Sequence, residues 1–259
     1  MRVFENVSEA IPEIRRDLSK GPVLSSNRVQ HIDTTGDTVQ ELQNYSYTIL
    51  AGGVPGTTDQ VVKLYKEHFP GPIADDHYFG YWLSEEGYHR FGPYSDRVGQ
   101  APDRHTILRD MKEGEHYSYT YGERMVSAVD QMVEVLKRDM YSRRAYWPIF
   151  QPLDALRAPA YTRIPCSLGY QLTIREIPGV GDALHMTYIS RSCDFSKFWL
   201  SDLYFADQFK MKVLEILNGK LWERLKLTSS PPYPGLIEGS TSHVVLSLHR
   251  FADDNEELF

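Results

Sequence analysis

The middle of this chain carries the pattern that most restricts its fold: two strand-like runs, a glycine-rich turn between them and a long helical run after them. The strand-like runs cover 166–176 and 184–190, and the turn at 178–182 contains the glycines that a hairpin needs. Residues 198–217 are rich in helix-forming side chains, and Asn218-Gly219 after them is typical of a left-handed helix end. We therefore predict an antiparallel hairpin followed by a long helix.

The rest of the chain adds helices and strands in mixed order. Apolar residues recur at helical spacing within 122–139, which predicts a second amphipathic helix. Thr57-Thr58-Asp59 has the composition of a helix N-terminus and predicts a capped helix after it. Residues 145–150 and 243–251 are expected to form strands. This mixture predicts an α+β fold.

Length and composition set the broad class of the protein. A chain of 259 residues with 41% hydrophobic content, no visible repeat and no internal linker is expected to form a single domain over 1–259. No apolar run approaches the roughly 20 residues of a membrane helix, so no membrane contact is expected. Acids near the start and only two cysteines favour a cytoplasmic protein. The net charge of -7 argues against general nucleic-acid binding.

Three residue types around the predicted hairpin point to chemistry. Cys166 follows a proline, Arg191 comes 25 residues later, and Asp202 lies eleven positions past the arginine. A lone cysteine in a strand is usually a small core residue, and a lone arginine there is usually a surface charge. Together, however, a thiol, a cation that favours its thiolate and an acid that reads a heterocycle edge are the minimum for chemistry on a pyrimidine nucleotide.

The order of several short motifs extends this interpretation. In chain order they are Tyr121-Gly122, Asp130-Gln131, Ser142-Arg143-Arg144, Pro165-Cys166, Gln171 and Arg191-Ser192-Cys193-Asp194. This order and spacing resemble the thymidylate synthase superfamily, which includes the cytidylate hydroxymethylases, over roughly residues 117 to 210. The resemblance implies a thymidylate synthase-like fold with a mixed β-sheet flanked by helices, and a homodimer packed sheet to sheet.

The resemblance also implies roles for individual residues. Cys166 is the nucleophile that adds to C6 of the base, while Arg191 and Ser192 hold the nucleotide phosphate. Arg143 and Arg144 reach the phosphate bound by the partner subunit, so that the active site is shared across the dimer interface. The alternative for this basic pair is a helix end that complements the helix dipole. Further substrate contacts are expected from Arg28, Gln171, Asp194 and His243.

Asp202 bears on the choice of base. The thymidylate synthases carry an asparagine at this position, which pairs with the N3 and O4 edge of uracil. An acid instead accepts from the 4-amino group of cytosine and can share a proton with N3. The alternative is a polar residue on the solvated face of the helix, because 196–201 departs from the family's usual run. We interpret Asp202 as favouring a cytidylate.

Other assignments rest on position relative to the family. Tyr121 is expected to position a proton-transfer network near C5, and Glu85 is the candidate catalytic glutamate. Trp82 is the candidate contact for the folate pterin, although an aromatic among neighbouring aromatics more often packs in a core. The family often has a histidine after the nucleophile, where this chain has Ser167. The family's sugar-binding histidine and tyrosine are matched only by His243, which leaves both CMP and dCMP open.

The sequence therefore predicts a cytidylate (dCMP or CMP) 5-hydroxymethylase. It transfers a one-carbon unit from 5,10-methylenetetrahydrofolate to C5 of a pyrimidine nucleoside monophosphate. Two alternatives stay open: a thymidylate synthase that methylates dUMP, and a catalytically silent family member that binds nucleotide or RNA. No metal is expected, because nine histidines and two cysteines show no ligand spacing.

Overall fold

The structure is a computed structural model that describes residues 1–25, 38–50, 57–68, 124–125, 127–157, 164–196, 198–219 and 231–251. Its strands are β1 (Arg2–Phe4), β2 (Val23–Ser25), β3 (Thr38–Ile49), β4 (Tyr146–Pro148), β5 (Ser167–Ile177), β6 (Gly181–Ser190), β7 (Cys193–Asp194) and β8 (Ile237–Phe251). Its helices are α1 (Val7–Leu18), α2 (Thr57–His68), α3 (Ala128–Arg138), α4 (Pro152–Arg157) and α5 (Trp199–Asn218). The α+β fold class is confirmed, and the single-domain organisation stays a prediction.

One mixed sheet organises these elements. Its strand order is β1-β3-β8-β6-β5-β4, with β2 beside β3 and β7 beside β8. The pairs β1–β3, β6–β8 and β7–β8 are parallel, and the remaining pairs are antiparallel. The long strand β8 therefore lies at the centre, between β3 and the hairpin formed by β5 and β6.

The predicted hairpin and helix are both present. The turn between β5 and β6 contains Gly179 at φ 76° and Gly181 at φ 129°, a backbone region that side chains other than glycine rarely adopt. Helix α5 ends at Gly219, whose φ of 88° is the left-handed stop that the sequence predicts. The bounds predicted from these local signals agree with the observed bounds of both elements to within a few residues.

The core lies between one face of the sheet and the helices. Helix α5 packs against β6, β8, α2 and α3, and most of its side chains are buried. Large side chains with at most 1% exposure include Trp199, Tyr204 and Phe209 on α5 and Tyr47 and Tyr188 on the sheet. A continuous apolar layer therefore supports the strands that carry the predicted site residues.

The opposite face of the sheet is only partly covered. Its side chains alternate with the buried ones and are half-buried along three neighbouring strands: Gln171 and Thr173 on β5, His185, Thr187 and Ile189 on β6, and Ser240, Ser242 and Val244 on β8. They are small or uncharged, apart from His185. This face is broad and mostly free of charged groups along its middle.

Several predicted bounds differ from the structure. The strand expected over 145–150 covers only Tyr146–Pro148, because the backbone then turns to pair Ile149 and Phe150 with a single carbonyl, that of Leu168. The late strand begins at Ile237, six residues before its predicted start, because its first part pairs with β6. Within the described residues no helix is both long and apolar enough to cross a membrane.

Candidate active site

The hairpin register brings Cys166 and Arg191 together. Ser167 at the start of β5 pairs with Ser190 at the end of β6, so the residues just outside the pair must be neighbours. The backbone N–H of Arg191 donates to the carbonyl of Cys166 at 2.8 Å. Cys166 as a whole is half-buried.

The Arg191 side chain folds back over the residues that precede the thiol. Its Nε donates to the carbonyl of Pro165 at 2.9 Å, and Nη2 donates to the carbonyl of Ile164 at 3.2 Å. The same Nη2 lies 3.8 Å from Cys166 Sγ. Because the two carbonyls fix the guanidinium, its positive charge is held beside the sulfur, which favours a thiolate.

Asp202 occupies the first turn of α5, where its backbone N–H donates to the carbonyl of Phe198 at 2.8 Å. Its side chain is half-buried, and desolvation of the carboxyl raises its pKa to about 7. Hydrogen bonds from the Cys193 thiol and the Tyr188 hydroxyl act against this rise. This carboxyl can therefore hold or release a proton near neutral pH.

Cys193 and Asp194 form the short strand β7 beside β8. The Cys193 thiol is 2% exposed, and burial, followed by the charge of Asp202, raises its pKa well above the usual value. Asp194 Oδ1 accepts from the backbone N–H of Ser196 at 3.1 Å, and its carbonyl accepts from Phe198 at 2.9 Å. Asp194 thus shapes the turn that leads into α5.

His243 lies inside the sheet, with 1% of its surface exposed. Its Nδ1 is 3.0 Å from the Tyr47 hydroxyl, and its Nε2 is 2.9 Å from Ser190 Oγ. Trp199 Nε1 donates to the same Tyr47 hydroxyl at 2.6 Å. Burial lowers the pKa of His243 to about 3, so the ring is neutral. Its contact with a sugar stays a prediction, and a ligand would have to displace one of these hydroxyls.

The other predicted substrate residues are spread over neighbouring surfaces. Gln171 is half-buried, and its Nε2 donates to the carbonyl of Arg143 at 3.2 Å. Arg143 and Arg144 both have exposed side chains, in the bend between α3 and β4. Ser192 is half-buried next to Arg191. Four further predictions, Arg28, Trp82, Glu85 and Tyr121, fall outside the described residues.

Sequence reasoning missed Tyr188. Its hydroxyl is 2.7 Å from Ser167 Oγ, and it also donates to Asp202. A signal for it was present, because alternation along β6 puts Tyr188 on the same buried face as Ser190, where polar atoms need partners. The structure thus brings Cys166, Arg191, Cys193 and Asp202 into one neighbourhood and adds Tyr188 to it.

A second polar cluster lies further along α5. Lys210 Nζ is 3.1 Å from Asp207 Oδ1, and both side chains are 0% exposed. The ammonium also donates to Thr241 Oγ1 at 2.8 Å and to Glu238 Oε1 at 3.0 Å. Within the described ranges no three His, Cys, Asp or Glu side chains gather as metal ligands, and the absence of a metal stays a prediction.

No protein-family model matches the chain, and no curated protein matches it either. Among solved structures, the thermostable thymidylate synthase A from Bacillus subtilis is similar to this chain, with a TM-score of 0.48 and 16% sequence identity. The match covers 92% of this chain and 77% of that chain. A similarity of this strength carries no conclusion about family or activity.

Proposed function

We propose that the protein is a cytidylate 5-hydroxymethylase that uses 5,10-methylenetetrahydrofolate as its one-carbon donor. The observation that carries the proposal is the position of the Arg191 guanidinium, 3.8 Å from Cys166 Sγ. The motif order that resembles the thymidylate synthase superfamily runs through these same two residues. A cation fixed beside a half-buried thiol is the arrangement that covalent attack by sulfur requires.

In the proposed reaction, Cys166 adds as a thiolate to C6 of the bound pyrimidine. The bond between C5 and C6 opens towards C5, which becomes nucleophilic and takes the one-carbon unit from the folate. A base then removes the C5 proton, and elimination of tetrahydrofolate leaves an exocyclic methylene, to which water adds. Loss of the thiolate from C6 then restores the ring. The balance is cytidylate, methylenetetrahydrofolate and water in, and 5-hydroxymethylcytidylate and tetrahydrofolate out.

Arg191 has a double role in this scheme. Its Nε and Nη2 are engaged with the carbonyls of Pro165 and Ile164 and with the sulfur. The guanidinium carries five N–H donors, and the phosphate is proposed to bind those on Nη1. Ser192 next to it supplies a hydroxyl for the same group. Phosphate binding would therefore also fix the cation that supports the thiolate.

Asp202 is proposed to read the base. A carboxyl that titrates near pH 7 can donate to N3 of cytosine in its neutral form while its other oxygen accepts from the 4-amino group. The proton on N3 gives the ring the electron sink that attack at C6 needs. Uracil offers a donor at N3 and an acceptor at C4, which a carboxylate matches poorly. A cytidylate is therefore the proposed substrate.

Folate contacts and the remaining catalytic groups stay predictions of the sequence. Trp82 for the pterin, Glu85 and Tyr121 for proton transfer and Arg28 for the phosphate belong to this set. His243 for the sugar and Gln171 and Asp194 as further substrate contacts also belong to it. A cytoplasmic location, the absence of a metal and of membrane or general nucleic-acid partners, and a single domain complete the proposal.

The proposal includes a homodimer. The partly covered sheet face, with Gln171, Thr187 and Val244 near its middle, carries few charges and suits packing against the same face of a second copy. Exposed Arg143 and Arg144 begin the segment that leads into β4 at the edge of this sheet. A two-fold pairing would let this basic pair reach the phosphate in the partner subunit's site.

The proposal is tested by incubating the protein with methylenetetrahydrofolate and CMP, dCMP or dUMP in separate reactions and weighing the products. We expect CMP or dCMP to gain one CH2O unit and dUMP to stay unchanged. Methylation of dUMP would overturn the proposal in favour of a thymidylate synthase. No turnover of any nucleotide would overturn it in favour of a silent binding protein. The Cys166→Ser variant is the matched control.

A further inference from the structure

We infer that Tyr188 is a positioning residue for Asp202, acting through a chain of hydroxyl groups that runs from Ser167, next to the nucleophile, to the carboxyl that reads the base. The inference rests on the proposed function, because it assigns Asp202 to the substrate. It concerns three side chains on three elements: the start of β5, the end of β6 and the first turn of α5.

The direction of the hydrogen bonds follows from donor counting. The Tyr188 hydroxyl lies 2.7 Å from Ser167 Oγ, and the Asp202 carboxyl accepts from Tyr188. A phenol has one hydrogen to donate. When Tyr188 gives this hydrogen to the Asp202 carboxylate, the Ser167 hydroxyl is the donor to Tyr188. The chain therefore points from the thiol end of the site towards the acid.

The ring of Tyr188 has a fixed place. It stacks on Tyr170, with centroids 5.0 Å apart and planes 15° apart, and on His243, with centroids 4.5 Å apart and planes 20° apart. Tyr188 is 1% exposed. A ring held on both sides cannot swing its hydroxyl away, so only the hydroxyl hydrogen rotates. Asp202 thus receives a donor at a constant position.

The chain can also run in reverse. A neutral Asp202 can donate to the Tyr188 oxygen, and Tyr188 can then donate to Ser167 Oγ. Among the residues that the structure describes, the groups that face Asp202 are the Cys193 thiol, Asp194, Tyr188, Tyr47 and Tyr170, and none of these five is a cation. Tyr170 in turn contacts Ser167. The Cys193 thiol and the Tyr188 hydroxyl therefore both support the charged form of the carboxyl, and the hydroxyl chain can reverse its direction when the proton moves.

The function of such a chain follows from the scheme above. Asp202 must present one oxygen to the 4-amino group and the other to N3 at the same time, which requires a defined rotation of the carboxyl plane. Donors on Cys193 and Tyr188 hold that plane from the protein side. The family's histidine after the nucleophile is Ser167 here, and in this chain Ser167 and Tyr188 together provide a link between nucleophile and base reader.

The test compares Tyr188→Phe with Tyr204→Phe, which removes another buried hydroxyl from the helix that carries Asp202. The ionisation of Asp202 is followed by carbon NMR of labelled aspartate in the free protein, assigned with Asp202→Asn. We expect the midpoint of Asp202 to rise in Tyr188→Phe, because a donor to the carboxylate is lost, and to stay unchanged in Tyr204→Phe. We also expect kcat/KM for the cytidylate to fall about 10-fold or more in Tyr188→Phe only.

An unchanged Asp202 midpoint in Tyr188→Phe would overturn the inference, since a merely structural tyrosine lowers the melting temperature without moving that midpoint. A shifted midpoint with undiminished cytidylate turnover would overturn the positioning role. If Tyr188→Phe does not fold, Ser167→Ala breaks the same chain at its other end and should raise the midpoint by a smaller amount. Failure of the proposed function is recognised separately, as no cytidylate turnover by the unmodified protein.

Discussion

Two aspartates on helix α5 are removed from water with different partners. Asp202, in the first turn of α5, has a thiol and a phenol as donors, and desolvation raises its pKa to about 7. Asp207, just over one turn later, is fully buried and has the Lys210 ammonium at 3.1 Å and the Thr241 hydroxyl at 2.5 Å. Burial raises the pKa of Asp207 as well, and Lys210 acts against that rise.

The difference predicts a role in turnover for Asp202 and a role in stability for the Asp207–Lys210 pair. A buried carboxylate with its own cation is held in one charge state, and removing either partner leaves the other charge uncompensated. A carboxyl such as that of Asp202, whose hydrogen-bond donors among the described residues are a thiol and a phenol, can change its charge when a ligand brings or takes a proton. We therefore expect changes around Asp202 to affect turnover and changes around Asp207 to affect stability.

Replacing the nucleophile should separate the two regions most strongly. Cys166→Ser is expected to lower kcat by about 10⁴-fold or more, which corresponds to about 5.5 kcal/mol in the barrier, because a serine hydroxyl ionises far less readily than a thiol. The denaturant midpoint should stay close to that of the unmodified protein, since the residue is half-buried. Product mass spectrometry and a urea titration measure both. Turnover that survives this change would refute the covalent scheme.

Changes to the Asp207–Lys210 pair should affect stability more than turnover. Lys210→Met is expected to lower the free energy of unfolding by about 3–5 kcal/mol, because the Asp207 charge loses its buried partner. Adding Asp207→Leu should recover part of this loss. Lys212→Met, a half-buried lysine on the same helix, is the matched control and should change stability little. A urea titration in which both single variants behave alike would contradict the assignment of Lys210.

The next largest expected effect is on the preference for a cytidylate over dUMP. Asp202→Asn is expected to lower kcat/KM for the cytidylate by about 100-fold, or about 2.7 kcal/mol, and to raise it for dUMP, because an amide donates where uracil has its 4-oxygen. The control Glu215→Gln makes the same acid-to-amide change on α5 away from the site and should leave the preference as it was. Competition between the two nucleotides, read by mass, measures the ratio. An unchanged ratio would remove Asp202 from base reading.

The smallest effect is on stability as a function of pH. An unfolded aspartate titrates near ~3.9, so between there and about 7 the folded protein holds the Asp202 proton longer than the unfolded chain does. Asp202 therefore lowers stability as pH rises through this window, by less than about 1.4 kcal/mol per pH unit. His243, with a pKa lowered to about 3, acts with the opposite sign below about 6.5.

The pH dependence of stability due to Asp202 is separated from that due to His243 by comparing the unmodified protein with Asp202→Asn. The difference in unfolding free energy between them should change steadily from pH 4.5 to 7 and then level off, as the group is ionised in both states above its folded pKa. Urea titrations at half-unit intervals measure this. A difference that is constant with pH would mean that Asp202 titrates as an ordinary exposed acid.

The sequence was most informative where structure depends on neighbours in the chain. The hairpin, helix α5 and the meeting of Cys166 with Arg191 follow from turn glycines, apolar periodicity and register. Strand β3 was not predicted, because its first half is largely polar and only residues 45–49 alternate. Helix α1 was also not predicted, since Pro12 inside it is a helix-breaking signal.

Among the candidate site residues, too, contacts local in the sequence were easier to predict than contacts made by the tertiary fold. The closeness of Arg191 to Cys166 was predictable because the hairpin joins them within one local segment, and Asp202 follows in the next helix. The roles of these residues stay predictions. The partners of His243 were not predictable, since Tyr47 and Ser190 come from strands that only the tertiary fold brings beside β8. Tyr188 was missed because a tyrosine on a strand usually packs in the core, and only the tertiary structure shows that its hydroxyl donates to Asp202.

The central position of β8 has a consequence for how the chain assembles. The hairpin of β5 and β6 needs only contacts close in sequence, whereas the bond between Tyr47 and His243 joins residues 196 positions apart. Closing so long a loop is slow compared with forming a hairpin. During synthesis, the edges of β3 and β6 that pair with β8 therefore stay unpaired until β8 emerges. Such unpaired edges expose the nascent chain to aggregation.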